Sequence, residues 1–190
     1  MMLPMKLCAL LQNNISKRAT DMREDIFIEL LSRGHNRESF DCGEERLNDY
    51  IHKQASQDMK KHMAAVYVAM PRINPSQVIG FYTLSAAQVI FSDLPNEVAK
   101  SLPRYPNVPA YRIGRLAVDK EHQGRGVGAM LLMDALFRCL NKEIPVVAVI
   151  VDAKNDHATS FYKKYGFIQF PDQPLKLFIP MKVIQNTFVK

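Results

Sequence analysis

Tryptophan is absent from the 190-residue sequence, cysteine occurs three times and histidine five times. Cys8, Cys42 and Cys139 lie too far apart for a Cys-x-x-Cys site, and an odd, sparse count argues against a secreted disulfide scaffold. His35, His52, His62, His122 and His157 include no His-x-x-x-His pair, so no structural metal is expected. Long apolar runs are missing as well: nothing approaches the ~20 residues that span a bilayer. The mildly hydrophobic Met2–Leu11 is broken by Pro4, holds Lys6 and is followed by no small-residue cleavage site, so neither a signal peptide nor an anchor is expected. These absences point to a cytoplasmic protein without metal or membrane partner. At this length a core can form without staples.

Positive charge is in mild excess, 25 Lys+Arg against 19 Asp+Glu, and it is unevenly spread. Residues 1–20 carry +3, residues 21–58 carry −5 and residues 59–190 carry +8. A basic body favours phosphate-bearing partners, although a solvated surface of slight excess explains the same number. Residues 1–21 read as a loose N-terminal extension, with Met22 a candidate natural start. The regular pattern of one domain then occupies 22–190, without internal repeat or linker.

Hydrophobic periodicity orders that pattern. Strands are expected over Ile26–Leu31, Ala64–Met70 and Val78–Phe91, the last two joined by a turn through Pro71 and Pro75. Between the first two, Leu47, Tyr50, Ile51, Ala55 and Met59 place one apolar stripe on a helix from Glu44 to about His62. Ser92–Pro109, with four prolines, predicts a loop holding at most a short helix over Pro95–Leu102. A strand at Arg112–Asp119, a helix at Gly126–Leu140 and an aliphatic strand at Val146–Val151 follow. A helix at Asp156–Tyr165, closed by Gly166, precedes strands at Phe167–Phe170 and Lys176–Met181. The fold class is α/β, a mixed and mostly antiparallel central sheet flanked by helices.

Gln123-Gly-Arg-Gly-Val-Gly-Ala129 joins the Arg112–Asp119 strand to the helix behind it. Its glycines let backbone approach a ligand, and the free N–H groups of the helix start form an anion site to which Arg125 adds a cation. A nucleoside triphosphate is excluded because Gly-Lys-Ser/Thr does not follow. A dinucleotide fits Gly124-x-Gly126-x-x-Ala129 with Asp152 about 20 residues on. Against it, Lys120–Gln123 separates strand from glycines, and only about 40 residues follow Asp152. Coenzyme A is the third candidate.

On that third reading, Gln123-x-x-Gly126-x-Gly128 resembles the signature of the GNAT N-acetyltransferases. Asn155 and Ala158-Thr-Ser-Phe-Tyr-Lys-Lys-Tyr-Gly-Phe167 are similar to that family's Ala-x-x-x-Tyr-x-x-x-Gly-Phe helix, about 35 residues downstream. Phe40-Asp-Cys-Gly43, Gly80-Phe-Tyr-Thr-Leu-Ser-Ala86, Leu102-Pro-Arg-Tyr-Pro106 and Gly114-Arg-Leu-Ala-Val-Asp119 narrow the resemblance to GNAT toxins of bacterial type II toxin–antitoxin modules. It covers roughly residues 36–185 and departs from the pattern in the N-terminal extension and in Lys163–Lys164. The resemblance implies a GNAT fold whose sheet splays at a slot for acetyl-CoA. It implies cofactor contacts from Leu116, Ala117, Val118, Gln123, Gly124, Arg125, Gly126, Val127, Gly128, Ala129, Asn155 and Phe161. It also implies acetylation of the α-amino group of an aminoacyl-tRNA, a block to translation, a ribbon-helix-helix antitoxin, DNA contact only through that antitoxin, and a homodimer.

Tyr162 stands where the toxins carry the general acid for the leaving thiolate; without the resemblance, residue type alone favours aromatic packing, and with it the catalytic reading leads. No strong base is evident. A free α-amine titrates near ~7.7–8, against ~10.4 for lysine, so the missing base favours an α-amine acceptor. Lys53, Lys60, Lys61, Arg72, Arg104 and Arg112 are candidates for a phosphate-tracking rim, with Tyr105 able to stack on a base. A housekeeping GNAT acting on a small amine or a protein N-terminus is the rival enzyme, and a catalytically silent binding module the rival outside enzymes.

Overall fold

The computed structural model describes residues 26–188; the N-terminal extension lies outside them, as do residues 22–25. Seven strands form one mixed sheet: β1 (Ile26–Leu30), β2 (Ala65–Pro71), β3 (Gly80–Ile90), β4 (Asn107–Val118), β5 (Ala148–Asp152), β6 (Ile168–Phe170) and β7 (Gln173–Pro180). Their order is β1-β2-β3-β4-β5-β7-β6. β1/β2, β2/β3, β5/β7 and β6/β7 pair antiparallel, and β4/β5 pair in parallel. The flanking helices are α1 (Glu45–Asp49), α2 (Ala55–Lys60), α3 (Asn96–Ala99), α4 (Val127–Leu140), α5 (Asp156–Lys164) and α6 (Met181–Phe188). The chain divides into two compact units, with the dividing lines inside β3, β4 and α4.

The first unit holds residues 26–85 and 114–135 among those described. Val66, Val68, Phe81 and Ala117 share one sheet face with Phe40, Tyr50, Ile51 and Ala55, all buried. Phe81 meets the Phe40 ring edge-on at 5.4 Å and stacks with Tyr50 at 6.0 Å. α4 takes the opposite face. A Cβ on Gly80 would stand 2.9 Å from Leu131 Cδ1, and the Tyr82 hydroxyl donates to Asp134.

The expected single helix from Glu44 is interrupted. Tyr50–Gln54 form a π-helical turn between α1 and α2. Its wider turn aims consecutive residues, Tyr50 and Ile51, into the core. The Ile51 carbonyl accepts from Arg37 Nη1 at 3.0 Å, a partner that periodicity cannot reveal.

The second unit holds residues 86–113 and 136–188. Its core packs Val89, Leu94, Val108, Ala110, Ala148, Ile150, Phe170 and Phe178. β4 pairs with β5 from Ala110 to Ile113, and the register ends there although β4 runs on to Val118. β4 starts at Asn107, five residues before the expected strand. Pro109 fits inside it because its carbonyl accepts from Val147 N at 3.0 Å while no N–H is demanded of it. α6 was not anticipated: a strand reading over Lys176–Met181 ends at Pro180, and the eight residues beyond form a helix that buries Ile184 and brings Phe188 against Phe137.

Candidate active site

The glycine loop belongs to the first unit. β4 ends at Val118, and Asp119 caps a one-turn 3-10 helix, Lys120–His122, by accepting from Glu121 N at 2.9 Å. Gly124 and Gly126 follow with φ of +73° and +88°, the left-handed region that glycine enters without steric cost. A side chain at either position would meet nothing within 4 Å, so backbone conformation and not crowding requires glycine there. The Gly126 carbonyl accepts from Met130 N at 3.1 Å, which makes Gly126 the residue before the first turn of α4. The N–H groups of Val127, Gly128 and Ala129 then have no carbonyl within the helix to donate to. Arg125 is exposed on the loop, while Val127 is buried beneath it. Donors without an intrahelical partner, a helix dipole and one cation make a receptor for a phosphate-bearing ligand.

What holds this loop was not legible as function in the sequence. The Asp41–Gly43 turn is stitched to it across nearly 80 residues. Asp41 N donates to Asp119 Oδ2 at 2.9 Å, and Lys120 N donates to the Asp41 carbonyl at 2.8 Å. Gln123 Nε2 donates to the carbonyls of Cys42 and Val118, each at 3.0 Å. Gln123, expected to contact the cofactor, thus commits its Nε2 to anchoring backbone. The Asp41 carboxylate accepts from Lys120 Nζ at 2.7 Å, Gly43 N at 2.9 Å and Asn48 Nδ2 at 2.8 Å. Those donors, Lys120 foremost, hold its carboxyl well below the usual carboxylate range.

A depressed pKa means the stabilisation is complete above the unfolded value near ~3.9 and is lost as pH falls through the lower folded value. The clasp therefore stays intact from pH 8 down to pH 5. Asp41→Asn breaks the ion pair at every pH. Since exposed pairs contribute little, calorimetry should find acetyl-CoA bound about threefold more weakly by the variant, with wild-type affinity showing no Asp41-linked change between pH 5 and pH 8.

Along β4, Ala117 is buried and Leu116 and Val118 are half-buried. Between them and the β4/β5 register stand Gly114 and Arg115. The Thr83 hydroxyl, itself buried, accepts from Arg115 N at 3.0 Å, and a Cβ on Gly114 would sit 3.1 Å from that oxygen. His122 Nδ1 lies 3.7 Å from Asp119 Oδ1, beyond hydrogen-bond reach.

Tyr162 and Asn155 belong to the second unit. Asn155 is the N-cap of α5: its Oδ1 accepts from Ala158 N at 2.9 Å, so this oxygen is committed to the helix. Tyr162, 8 % exposed, stands between Phe161 and Phe167 with ring centroids 5.2 and 5.4 Å away. Phe161 also meets Tyr165, at 5.1 Å. Burial alone pushes the Tyr162 phenol up to about 12, so the hydroxyl keeps its proton across the physiological range. The expected aromatic packing is thus real, and it leaves a protonated hydroxyl on a fixed ring.

The candidate cations differ in what already engages them. Lys53 pairs with Asp49 at 2.5 Å and Arg112 Nε stands 3.5 Å from Asp152. Arg72 lies over the Phe27 ring. Lys60 and Lys61 are exposed at the end of α2, and Arg104 is exposed beside Tyr105. No helix among the described residues is long and apolar enough to cross a membrane.

Residues 98–183 match the family model of the acetyltransferase (GNAT) domain. Over 146 residues, 76% of this chain and 85% of the relative, the sequence is 36% identical to a tRNA-acetylating toxin of Mycobacterium tuberculosis. Among solved structures, AtaT complexed with acetyl-methionyl-tRNAfMet is similar at a TM-score of 0.81 and 31% identity, covering 87% of this chain and 100% of that one. A tyrosine-to-phenylalanine mutant of the AtaT toxin, bound to the C-terminus of the antitoxin AtaR and acetyl-CoA, is similar at a TM-score of 0.74 and 28% identity, covering 87% and 99%.

Proposed function

Because the chain belongs to the GNAT acetyltransferases, we propose that it is a toxin that moves an acetyl group from acetyl-CoA to the α-amino group of an aminoacyl-tRNA. The observation that carries the reading is the loop Gln123–Ala129, whose left-handed glycines and helix N–H groups without an intrahelical partner suit a pyrophosphate. Acetyl-CoA supplies the thioester, whose C–S bond breaks as the acceptor nitrogen forms the new C–N bond. N–H groups of Val127, Gly128 and Ala129, with Arg125, hold the pyrophosphate. The Leu116–Val118 backbone aligns the pantetheine arm and donates to the thioester oxygen.

Tyr162 donates its hydroxyl proton toward the departing sulfur. A phenol near 12 is a weaker acid than a thiol near ~8.5. The transfer is completed only as the nitrogen, acidified by acylation, returns its own proton to the phenolate, leaving amide and thiol with every proton accounted for. No group on this chain has to deprotonate the acceptor, because an α-amine near ~7.7–8 is appreciably neutral at pH 7.5. Lys60, Lys61 and Arg104 offer exposed cations for the acceptor-stem phosphates, while Lys53 and Arg112 must first leave exposed acids, which costs little. A ribbon-helix-helix antitoxin, DNA contact through it, a homodimer and a cytoplasmic setting complete the proposal.

Radiolabelled acetyl-CoA incubated with the protein and total charged tRNA should place label on the aminoacyl group, released with the amino acid on mild alkaline treatment. Label confined to small amines or protein N-termini, with acetyl-CoA still bound, would move the substrate to the housekeeping class.

A further inference from the structure

Among the described residues Arg115 is a cation engaged by a ring and by no carboxylate. It follows Gly114 on β4, and its guanidinium carbon lies 3.7 Å above the centroid of the buried Tyr50 ring. Among the described residues no carboxylate stands within ion-pair distance of it. The Asp58 charge, after burial, helps push the Tyr50 phenol up to about 12, but Asp58 does not pair with the arginine. The backbone beneath is fixed by the Thr83 hydroxyl. Arg115 as a residue is half-buried. An arginine braced over a ring at this distance presents a guanidinium fork of the kind that matches a phosphate.

The choice between the two phosphate sources follows from the sheet. Arg115 lies on the face covered by Tyr50, the face that also carries Phe81 and Ala117. α4, whose first turn carries the anion site, packs on the opposite face through Leu131, Val127 and Asp134. The first turn of α4 and the Arg115 side chain therefore lie on opposite faces of the sheet. Arg115 is also the residue immediately before Leu116, where the proposed thioester contacts begin. That placement suits a phosphate of the acceptor better than the pyrophosphate at the head of α4.

We propose that Arg115, braced on Tyr50, binds the phosphodiester nearest the aminoacylated ribose of the acceptor and so selects aminoacyl-tRNA ends over free aminoacyl compounds. This rests on the substrate reading above, and the test keeps the two apart. Initial rates of acetylation are measured with charged tRNA, with an aminoacyl cytidylyl-adenosine, which has one internucleotide phosphodiester, and with an aminoacyl-adenosine, which has none. Wild type should prefer the dinucleotide to the nucleoside by at least tenfold in kcat/KM. Arg115→Gln should abolish that preference and raise the KM for charged tRNA about tenfold or more, while the acetyl-CoA KM stays within twofold.

A risen acetyl-CoA KM with unchanged preference would assign the guanidinium to the cofactor and overturn the proposal. So would no change at all, which would leave it as packing on Tyr50. If the Gln variant does not fold, Arg115→Lys retains a cation over the ring and should lose about threefold of the preference; an undiminished preference there also overturns the proposal. Equal wild-type rates on dinucleotide and nucleoside defeat this proposal alone. Absence of acetylation on all three acceptors defeats the substrate reading, and this one with it.

Discussion

Tyr162→Phe should lower the rate of acetyl transfer at least a hundredfold at pH 7.5 while acetyl-CoA still binds within about twofold of wild type. General acid catalysis by a positioned side chain contributes roughly 10²–10⁴-fold, and only the hydroxyl is removed. The ring contacts with Phe161 and Phe167 remain, so the variant should melt within a few degrees of the parent. The raised phenol gives the experiment a second readout. With the hydroxyl protonated up to about 12, wild-type kcat/KM on an acceptor whose amino acid is joined by an amide, which alkali does not cleave, should climb with pH as the acceptor amine loses its proton and then hold level through pH 10. A falling limb near pH 10 that disappears in the phenylalanine variant would assign an ordinary phenol to the acid and contradict the burial of Tyr162. Transfer surviving at more than about a tenth of the wild-type rate would remove Tyr162 from the chemistry and leave it as packing.

The elements legible in the sequence were those whose residues answer to one dominant force. The Val146–Val151 segment, aliphatic throughout, reads as a buried strand, and β5 bears that out. The glycine loop declared its backbone conformation, because two of its residues adopt φ values that side chains avoid. The π-helical turn at Tyr50–Gln54 was hidden because the stabilising partner of its carbonyl, Arg37, sits 14 residues earlier. The clasp on the loop was hidden for the same reason. Asp41 reads as a turn aspartate until Lys120 and Asp119 arrive from the far end of the unit. α6 was hidden by length, since eight residues give barely two turns of periodicity. Tyr162 was named through resemblance; what the structure adds is the burial that keeps its proton in place. Asn155, assigned to the cofactor, turns out to spend its Oδ1 on capping α5.

Substitutions at Gly126 should separate backbone direction from side-chain size as the basis of cofactor binding. Gly126→Val puts a β-branched residue at φ +88°, in a region such residues enter only as outliers. The strain is on the order of 1–2 kcal/mol, and the loop can relieve it by rotating to negative φ, which turns the N–H groups at the head of α4 away from the ligand. Acetyl-CoA affinity should then fall about thirtyfold or more. The melting temperature should move little, because the position is exposed and an added Cβ touches nothing. Gly126→Asn is the informative partner, since asparagine tolerates the left-handed region despite its bulk. If backbone direction governs binding, asparagine should cost only a few-fold and alanine should fall between the two. If bulk at the loop mouth governs it, alanine should be mildest and asparagine should rank with valine. Isothermal titration of the three variants against acetyl-CoA decides the order, and an order set by size would take the pyrophosphate contact away from the helix N–H groups.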